Sequence, residues 1–285
     1  MSSCPASSTP SQAIPNVLSI AGTDPTGGAG IQADLKVFGA LGAYGMAVVT
    51  AVIAQNTQAV QAVAPVTPAL VGAQLDAVFD DVAVAAVKIG MVANAGIAEA
   101  VAQRLARVRP PFVVFDPVMI ASTDRRLMDE GDVARIRAQL LPQVSLLTPN
   151  LREAGLLLGT RPPADLAGMH ACLPALHALG VPHVLLKGGH LPGGEAVDLL
   201  SSPDGQVLAL HAPRLDTRHG HGTGCSLSSA IAALWPRLGL VEAVRQAKRY
   251  VHEALAHADA LQVGHGSGPL HHFYALQASP PPFRP

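Results

Sequence analysis

The sequence predicts an α/β protein: a three-layer α/β/α sandwich around a mostly parallel central sheet, with an antiparallel hairpin at one edge. Three observations predict it. From Asn16 onward, short apolar β-rich runs alternate with longer helical patterns. The short runs are continuously apolar rather than alternating, so both strand faces are covered, as in a parallel sheet clad by helices. After Lys187 the pattern changes to two apolar runs split by Pro-Asp-Gly, AVDLLSSPDGQVLALHAP at 196–213, which reads as an antiparallel hairpin.

Taken in order, the strand candidates are NVLSIAG (16–22), MAVVTAVIAQN (46–56), AAVKIGM (85–91), PFVVFDPVM (111–119), VSLLTPN (144–150) and HVLLKGG (183–189). Each is short and bounded by turn residues. The helix candidates between them are IQADLKVFGALG (31–42), PALVGAQLDAVFDDV (68–82), AGIAEAVAQRLARV (95–108) and EGDVARIRAQLLPQ (130–143), with apolar residues recurring at helical spacing. Right-handed crossovers follow from that alternation. Two helices, Cys225 to Leu234 and Glu242 to Ala260, close the chain. With no fixed-period repeat and no break in composition, residues 16–276 form one domain, residues 1–15 a disordered Pro/Ser-rich tail and residues 277–285 a second tail.

Composition narrows the function classes. A net charge of -1 with 14% charged residues provides no basic footprint for nucleic acid. Cys4, Cys172 and Cys225 are odd in number and lack CxxC spacing, so neither a disulfide framework nor a zinc site is expected, which fits a cytoplasmic protein. No signal-peptide pattern or unbroken membrane-length apolar run is read.

Polar residues recur where the strands end: Asp24, Gln55 and Asn56, Lys88 to Met91, Asp116, Asn150 and Lys187. In an open parallel sheet, ligands bind in the crevice outside the carboxyl ends of the strands. Singly, Asp116 and Asn150 read as turn formers and Lys187 as solvated surface. Together they place an ammonium and carboxylates along one edge, where phosphates and magnesium would need them.

Two glycine-rich loops open helices at that edge. AGTDPTGGAGIQADLK (21–36) fits neither GxGxxG nor a P-loop, yet Gly27, Gly28 and Gly30 permit close backbone approach to a ligand. Asp34, inside the helix, reads equally well as an exposed or capping acid. In HGHGTGC (219–225), Gly220, Gly222 and Gly224 precede a helix, so successive N–H groups can form an anion nest suited to a transferring phosphoryl group. A cysteine in the first turn of that helix is expected to have its thiolate favoured. The ordinary reading of Cys225 is a small buried hydrophobe; its place after the nest favours function. The histidines show no metal spacing and read as solvated or hydrogen-bonding residues.

These segments, with VVTAVIAQNT, KIGM, FDPVM, LLTPNLREA, LLKGGH and VGHGSGPLHHF, resemble in order the hydroxymethylpyrimidine/phosphomethylpyrimidine kinases of thiamine biosynthesis, within the ribokinase-like superfamily. The likeness runs from about Asn16 to Tyr274. It implies an ATP- and Mg2+-dependent homodimeric kinase that phosphorylates 4-amino-5-hydroxymethyl-2-methylpyrimidine and then its monophosphate. It implies that Ala29, Asp34, Ile53, Gln55, Met91 and Val118 receive the pyrimidine. It implies that Asp116, Asn150, Glu153, Lys187 and His221 lie toward the nucleotide, with Asp116 and Glu153 holding magnesium directly or through water. Gly222, Thr223, Gly224 and Lys187 then stabilise transferring charge, and Cys225 stands at the position of the base.

Two departures accompany the resemblance. The family pattern Thr-His-Gly-Thr-Gly-Cys has Gly220 in place of its threonine here, with altered ATP affinity the expected consequence of losing a hydroxyl. The segment Ala121 to Asp129 also lacks the usual Ser-Gly. Pyridoxal kinase activity and a non-catalytic pyrimidine sensor are the alternative readings.

Overall fold

The computed structural model describes residues 13–119 and 130–276. The expected tails and the segment 121–129 therefore lie, wholly or mostly, outside the described residues.

An eight-stranded sheet runs β10-β9-β8-β7-β6-β5-β1-β2. Its strands are β1 (Asn16–Ala21), β2 (Tyr44–Val49), β5 (Ala86–Ile89), β6 (Val113–Phe115), β7 (Leu146–Leu147), β8 (His183–Lys187), β9 (Glu195–Ser201) and β10 (Val207–Pro213). The pairs from β2 to β8 are parallel, and β9 joins β8 and β10 in antiparallel register. The hairpin thus occupies the edge that Pro-Asp-Gly predicts; Gly205 takes φ +81° in its turn. The chain leaves β1 for β2 on one side, while β5 lies on the other, so a topological switch point falls between β1 and β5.

The helices are α1 (Gly30–Ala40), α2 (Pro68–Phe79), α3 (Ala95–Val108), α4 (Glu130–Leu140), α5 (Leu151–Leu158), α6 (Leu166–His177), α7 (Thr223–Leu238) and α8 (Leu240–Ala256). One apolar layer joins α1, α7 and α8 to one sheet face through residues such as Phe38, Ile231 and Val244. On the other face Leu75, Ile97, Leu105 and Ile136 pack α2, α3 and α4 against Leu18, Ile20 and Phe115. Met169 and Leu173 of α6 cover β8 and β9. Both faces are therefore dry, which is why the strands read as continuous apolar runs.

The run 46–56 is not one strand but two. It breaks at the fully buried Thr50, whose N–H donates to Ala21 O (2.9 Å) and whose hydroxyl donates to Met91 O (2.6 Å). These bonds pin the chain to the ends of β1 and β5, and it leaves the main sheet there. The second half, β3 (Ala51–Gln55), pairs instead with β4 (Val60–Pro65) in a separate two-stranded sheet. Its alternation turns Ala51, Ile53 and Gln55 inward and leaves Val52 exposed.

β4, α5 and α6 lie outside the elements expected from sequence. α5 has only eight residues, yet Asn150 and Glu153 form a reciprocal capping box and Gly159 closes it at φ +68°, signals that are present in NLREAGLLLG. α6 carries Pro174 in its interior, a residue that argues against a helix from sequence alone.

Candidate active site

The crevice is built outward from the switch point. After β1, Gly22 lies beneath two side chains from different elements: a Cβ there would stand 2.8 Å from Met91 Cε and 3.0 Å from Ile53 Cδ1. Ile53 is held by its N–H donating to Thr23 Oγ1 at 2.9 Å. Ile53 and Met91 thus gather over one glycine, while Gln55, from the same strand as Ile53, reaches the Asp24 carboxylate.

Asp24 organises the loop beside them. Its carboxylate accepts hydrogen bonds from Thr26 N (2.9 Å), Thr26 Oγ1 (2.8 Å) and Ala29 N (2.8 Å), and it pairs with His221 Nε2 (2.8 Å). Burial pushes this carboxyl up, but the hydrogen bonds from His221, Thr26 and Gln55 outweigh it and hold the group well below the usual carboxylate range. Ala29 is the N-cap of α1 and uses its N–H in this cluster. The bond to His221 joins two loops nearly two hundred residues apart in sequence. The two loops also touch backbone to backbone: Gly222 has φ +82°, and a Cβ there would collide with the Gly28 carbonyl oxygen.

The charged side of the crevice centres on Lys187, at the end of β8. Its ammonium lies 2.6 Å from Asp116 Oδ1 and 3.9 Å from Glu153 Oε2. Burial would lower the Lys187 pKa, but Asp116 and Glu153 override it and raise it above the ordinary lysine value. Thr148 Oγ1 donates to Asp116 at 3.3 Å, a weak contact. Glu153 is pushed up to about 7, by burial first and by Asp116 second, against the lowering effect of Lys187 and of the Asn150 N–H that donates to it at 2.7 Å. Asn150 is spent locally: its side-chain oxygen accepts from Glu153 N at 2.9 Å.

α7 begins against this cluster. A Cβ at Gly224 would stand 3.1 Å from Lys187 Nζ and 3.3 Å from Asp116 Oδ2, so the first turn of α7 abuts the ion pair. Gly222, Thr223, Gly224, Cys225, Lys187, Asp116 and Glu153 are therefore brought together. Val118 follows Asp116, its N–H donating to Asp116 O at 2.8 Å, and is half-buried at the same strand end.

Two expectations need correction. Cys225 does not have its thiolate favoured: burial pushes the thiol up to about 11, and Asp34 and Asp116 add to this against Lys88 and the Gly30 N–H. Asp34 is neither exposed nor a cap, and its carboxylate is not open at a ring's polar edge. It is fully buried, accepting from Lys88 Nζ (2.9 and 2.8 Å), Ser19 Oγ (2.5 Å) and Ser229 Oγ (2.7 Å). His219 and His272 are buried; of the two alternatives read for the histidines, His272 takes the hydrogen-bonding one, sharing a hydrogen bond with Ser226 at 3.1 Å, and His219 Nε2 lies 3.0 Å from Asp259 Oδ1. Cys172 is a half-buried thiol donating to Met169 O at 3.3 Å.

The sequence reading places Lys88 among the polar residues at the strand ends but assigns it no partner or role, although a lysine inside the apolar run AAVKIGM is itself a signal. A buried ammonium needs a buried acid, and helix periodicity could not identify Asp34 as that partner.

Comparison with known proteins agrees with this arrangement. A phosphomethylpyrimidine kinase family model matches residues 24–271. The hydroxymethylpyrimidine/phosphomethylpyrimidine kinase of Escherichia coli K12 is 51% identical over 261 residues, covering 91% of this chain and 98% of that protein. Among solved structures, the phosphomethylpyrimidine kinase of Clostridium difficile superposes with a TM-score of 0.75 at 38% identity, over 84% of this chain and 99% of that one. The pyridoxal kinase of Bacillus subtilis in its ADP complex reaches 0.84 at 32% identity, over 93% and 100%. Fold and site together define a small-molecule kinase of the ribokinase-like class. Within that class, the chain belongs to the phosphomethylpyrimidine kinase family.

Proposed function

We propose that this protein transfers phosphate from ATP to the hydroxymethyl group of 4-amino-5-hydroxymethyl-2-methylpyrimidine, and then a second phosphate to the monophosphate, in thiamine biosynthesis. One observation carries the reading: Ile53 and Met91 close over Gly22 with the Gln55 amide nearby at Asp24, and the glycine-rich start of α7 abuts Lys187 and Asp116. A flat, weakly polar ring and a polyphosphate are the two ligands such halves suit.

In this mechanism the hydroxymethyl oxygen attacks the γ-phosphorus in line, and the bond to the β–γ bridging oxygen breaks. Lys187 neutralises phosphate charge, and the N–H groups from Gly222 to Cys225 hold the charge that develops on the equatorial oxygens. His221, fixed by Asp24, keeps the nest open toward the nucleotide, and Asn150 holds Glu153 in place through their capping box. Cys225, as thiolate, accepts the hydroxyl proton. Gln55 presents a paired donor and acceptor to the aminopyrimidine, flanked by Ala29, Ile53, Met91 and Val118.

Asp116 and Glu153 fit magnesium. Both approach one ammonium, so their oxygens converge, and Mg2+ is commonly held by one or two carboxylates together with water and substrate phosphates. Bound there, it would neutralise charge on the β- and γ-phosphates.

The test is mass spectrometry of products after incubation with Mg-ATP and, in parallel, the pyrimidine alcohol, its monophosphate and pyridoxal. Pyrimidine mono- and diphosphate are expected. Pyridoxal phosphate as the sole product would overturn the substrate assignment in favour of a second reading, pyridoxal kinase, which the likeness to the Bacillus subtilis enzyme supports. Cys225→Ala is expected to reduce turnover about a hundredfold, the lower range for a positioned general base, while nucleotide affinity by calorimetry stays near wild type. Equal turnover in that variant removes the cysteine from the chemistry.

The functional form is proposed to be a cytoplasmic homodimer. β2 and β10 are the outer strands of the main sheet, and Tyr44 and Val52 near the first are exposed apolar side chains. Light scattering reads the assembly directly.

A further inference from the structure

Beneath Cys225 lies a charged cluster that the mechanism above does not use. Lys88 is completely buried, as is Asp34, and their side chains pair at 2.8 Å. Two hydroxyls complete the site: Ser19 from β1, at 2.5 Å, and Ser229 from α7, at 2.7 Å. Four elements therefore converge on one carboxylate: β1, α1, β5 and α7.

Its placement is specific. A Cβ added at Gly90 would stand 2.8 Å from Lys88 Nζ, so the lysine side chain runs along β5 toward the crevice and ends where a missing side chain makes room. Ser229 lies one helical turn after Cys225, which puts both on the same face of α7. The Gly30 N–H, from the start of the helix that carries Asp34, donates to the cysteine sulfur. The cysteine is thus seated over the ion pair.

A buried ion pair of this kind is poor evidence of stabilisation, because apolar residues of equal volume commonly serve the fold as well or better. An ammonium sealed under a nucleophilic sulfur has an electrostatic use instead. We propose that Lys88 is the counter-charge of the Cys225 thiolate and that Asp34, with Ser19 and Ser229, holds it there as a positioning residue for phosphoryl transfer. The proposal rests on the reading of Cys225 as the proton acceptor.

The charged groups that act on the sulfur come from separate elements: Lys88 from β5, Asp34 from α1, Asp116 from the end of β6 and Lys187 from β8. Two of these are anions that oppose the thiolate. Lys88 holds the thiol down against burial, while Asp34 pushes it up. The proton balance is then simple. Thiol gives its proton to solvent, thiolate receives the hydroxyl proton as the new P–O bond forms, and the thiol is restored.

The pair makes opposite predictions, which a packing role would not. In a full-length Cys4→Ser/Cys172→Ser background, alkylation of Cys225 by iodoacetamide is followed by intact mass at about pH 9, where the rate tracks the thiolate fraction. Asp34→Asn is expected to accelerate alkylation about threefold or more, and Lys88→Met to slow it by about the same factor. If Lys88→Met does not fold, Lys88→Met/Asp34→Asn compared with Asp34→Asn isolates the ammonium in a site whose hydroxyl partners are kept, and the double variant is expected to be the slower. Folded variants with equal rates, or with Lys88→Met faster than its parent, overturn the proposal. This readout needs no turnover, so it stands apart from the Cys225→Ala assay that tests the base itself.

Discussion

Lys187→Met is expected to lower turnover about a thousandfold while the fold survives with reduced thermal stability. Three features set the size of the effect. The ammonium lies 2.6 Å from Asp116 and 3.9 Å from Glu153, and only 13% of its side chain is exposed, so no solvent cation can replace it cheaply. It also faces the first turn of α7, where Gly224 leaves it room. Without it, two carboxylates share a dry site with no ammonium between them, and the loss of one partner of a buried pair is typically worth about 3–5 kcal/mol. Glu153, already pushed up to about 7, would be driven further toward its neutral form and offer magnesium a weaker ligand. The turnover loss should therefore exceed the change in nucleotide affinity. Lys187→Arg should not restore activity, since a planar guanidinium cannot take the place of a point charge between Asp116 and Gly224. Steady-state kinetics with calorimetric ATP binding checks this, and turnover within about tenfold of wild type would show that the N–H nest suffices alone.

The same cluster shows what sequence could and could not say. Lys187, Asp116 and Asn150 were legible as a set because each ends a strand, and the ends of parallel strands form one crevice whatever the side chains. Chain order also made the α/β alternation and the edge hairpin legible. The split at Thr50 was not, because a threonine in an apolar run looks like any strand residue until Ala21 and Met91 are placed beside it. Asp34 and Lys88 failed for the same reason in a sharper form. Helix periodicity places Asp34 on a face but not opposite a lysine 54 positions away, and only their contact decides that both are sealed. The Cys225 thiol is the third case. A helix start favours thiolate, burial opposes it, and the balance depends on depth, which a sequence does not carry.

Gly222→Ala is expected to remove nearly all activity and to destabilise the protein, whereas Gly220→Ala, two residues earlier, should do neither. The contrast follows from backbone and space. Gly222 is the N-cap of α7 at φ +82° and ψ 8°, a left-handed conformation that costs an L-residue about 1–2 kcal/mol. Space is the larger problem: its Cβ would run into the Gly28 carbonyl oxygen and come 3.2 Å from Ala29 Cα. Both obstacles are backbone, so neither can rotate away. The loops must separate, yet Asp24 and His221 tie them at 2.8 Å, and the same Asp24 holds the Ala29 N–H. Moving the 220–225 segment would therefore turn its N–H groups off the position where phosphoryl charge develops, and losing one such donor alone typically costs about 10²–10³-fold in turnover. Gly220 has negative φ or extended backbone and open space where a side chain would go. A methyl group there is expected to change stability by less than about 0.5 kcal/mol, and Gly220→Thr, which restores the family hydroxyl, meets nothing within 4 Å of its Cβ. Thermal unfolding and turnover of the three variants read the contrast. If Gly222→Ala kept both, the two glycine loops would have to be free to part, and the interlocked crevice described above would not be the form that turns over.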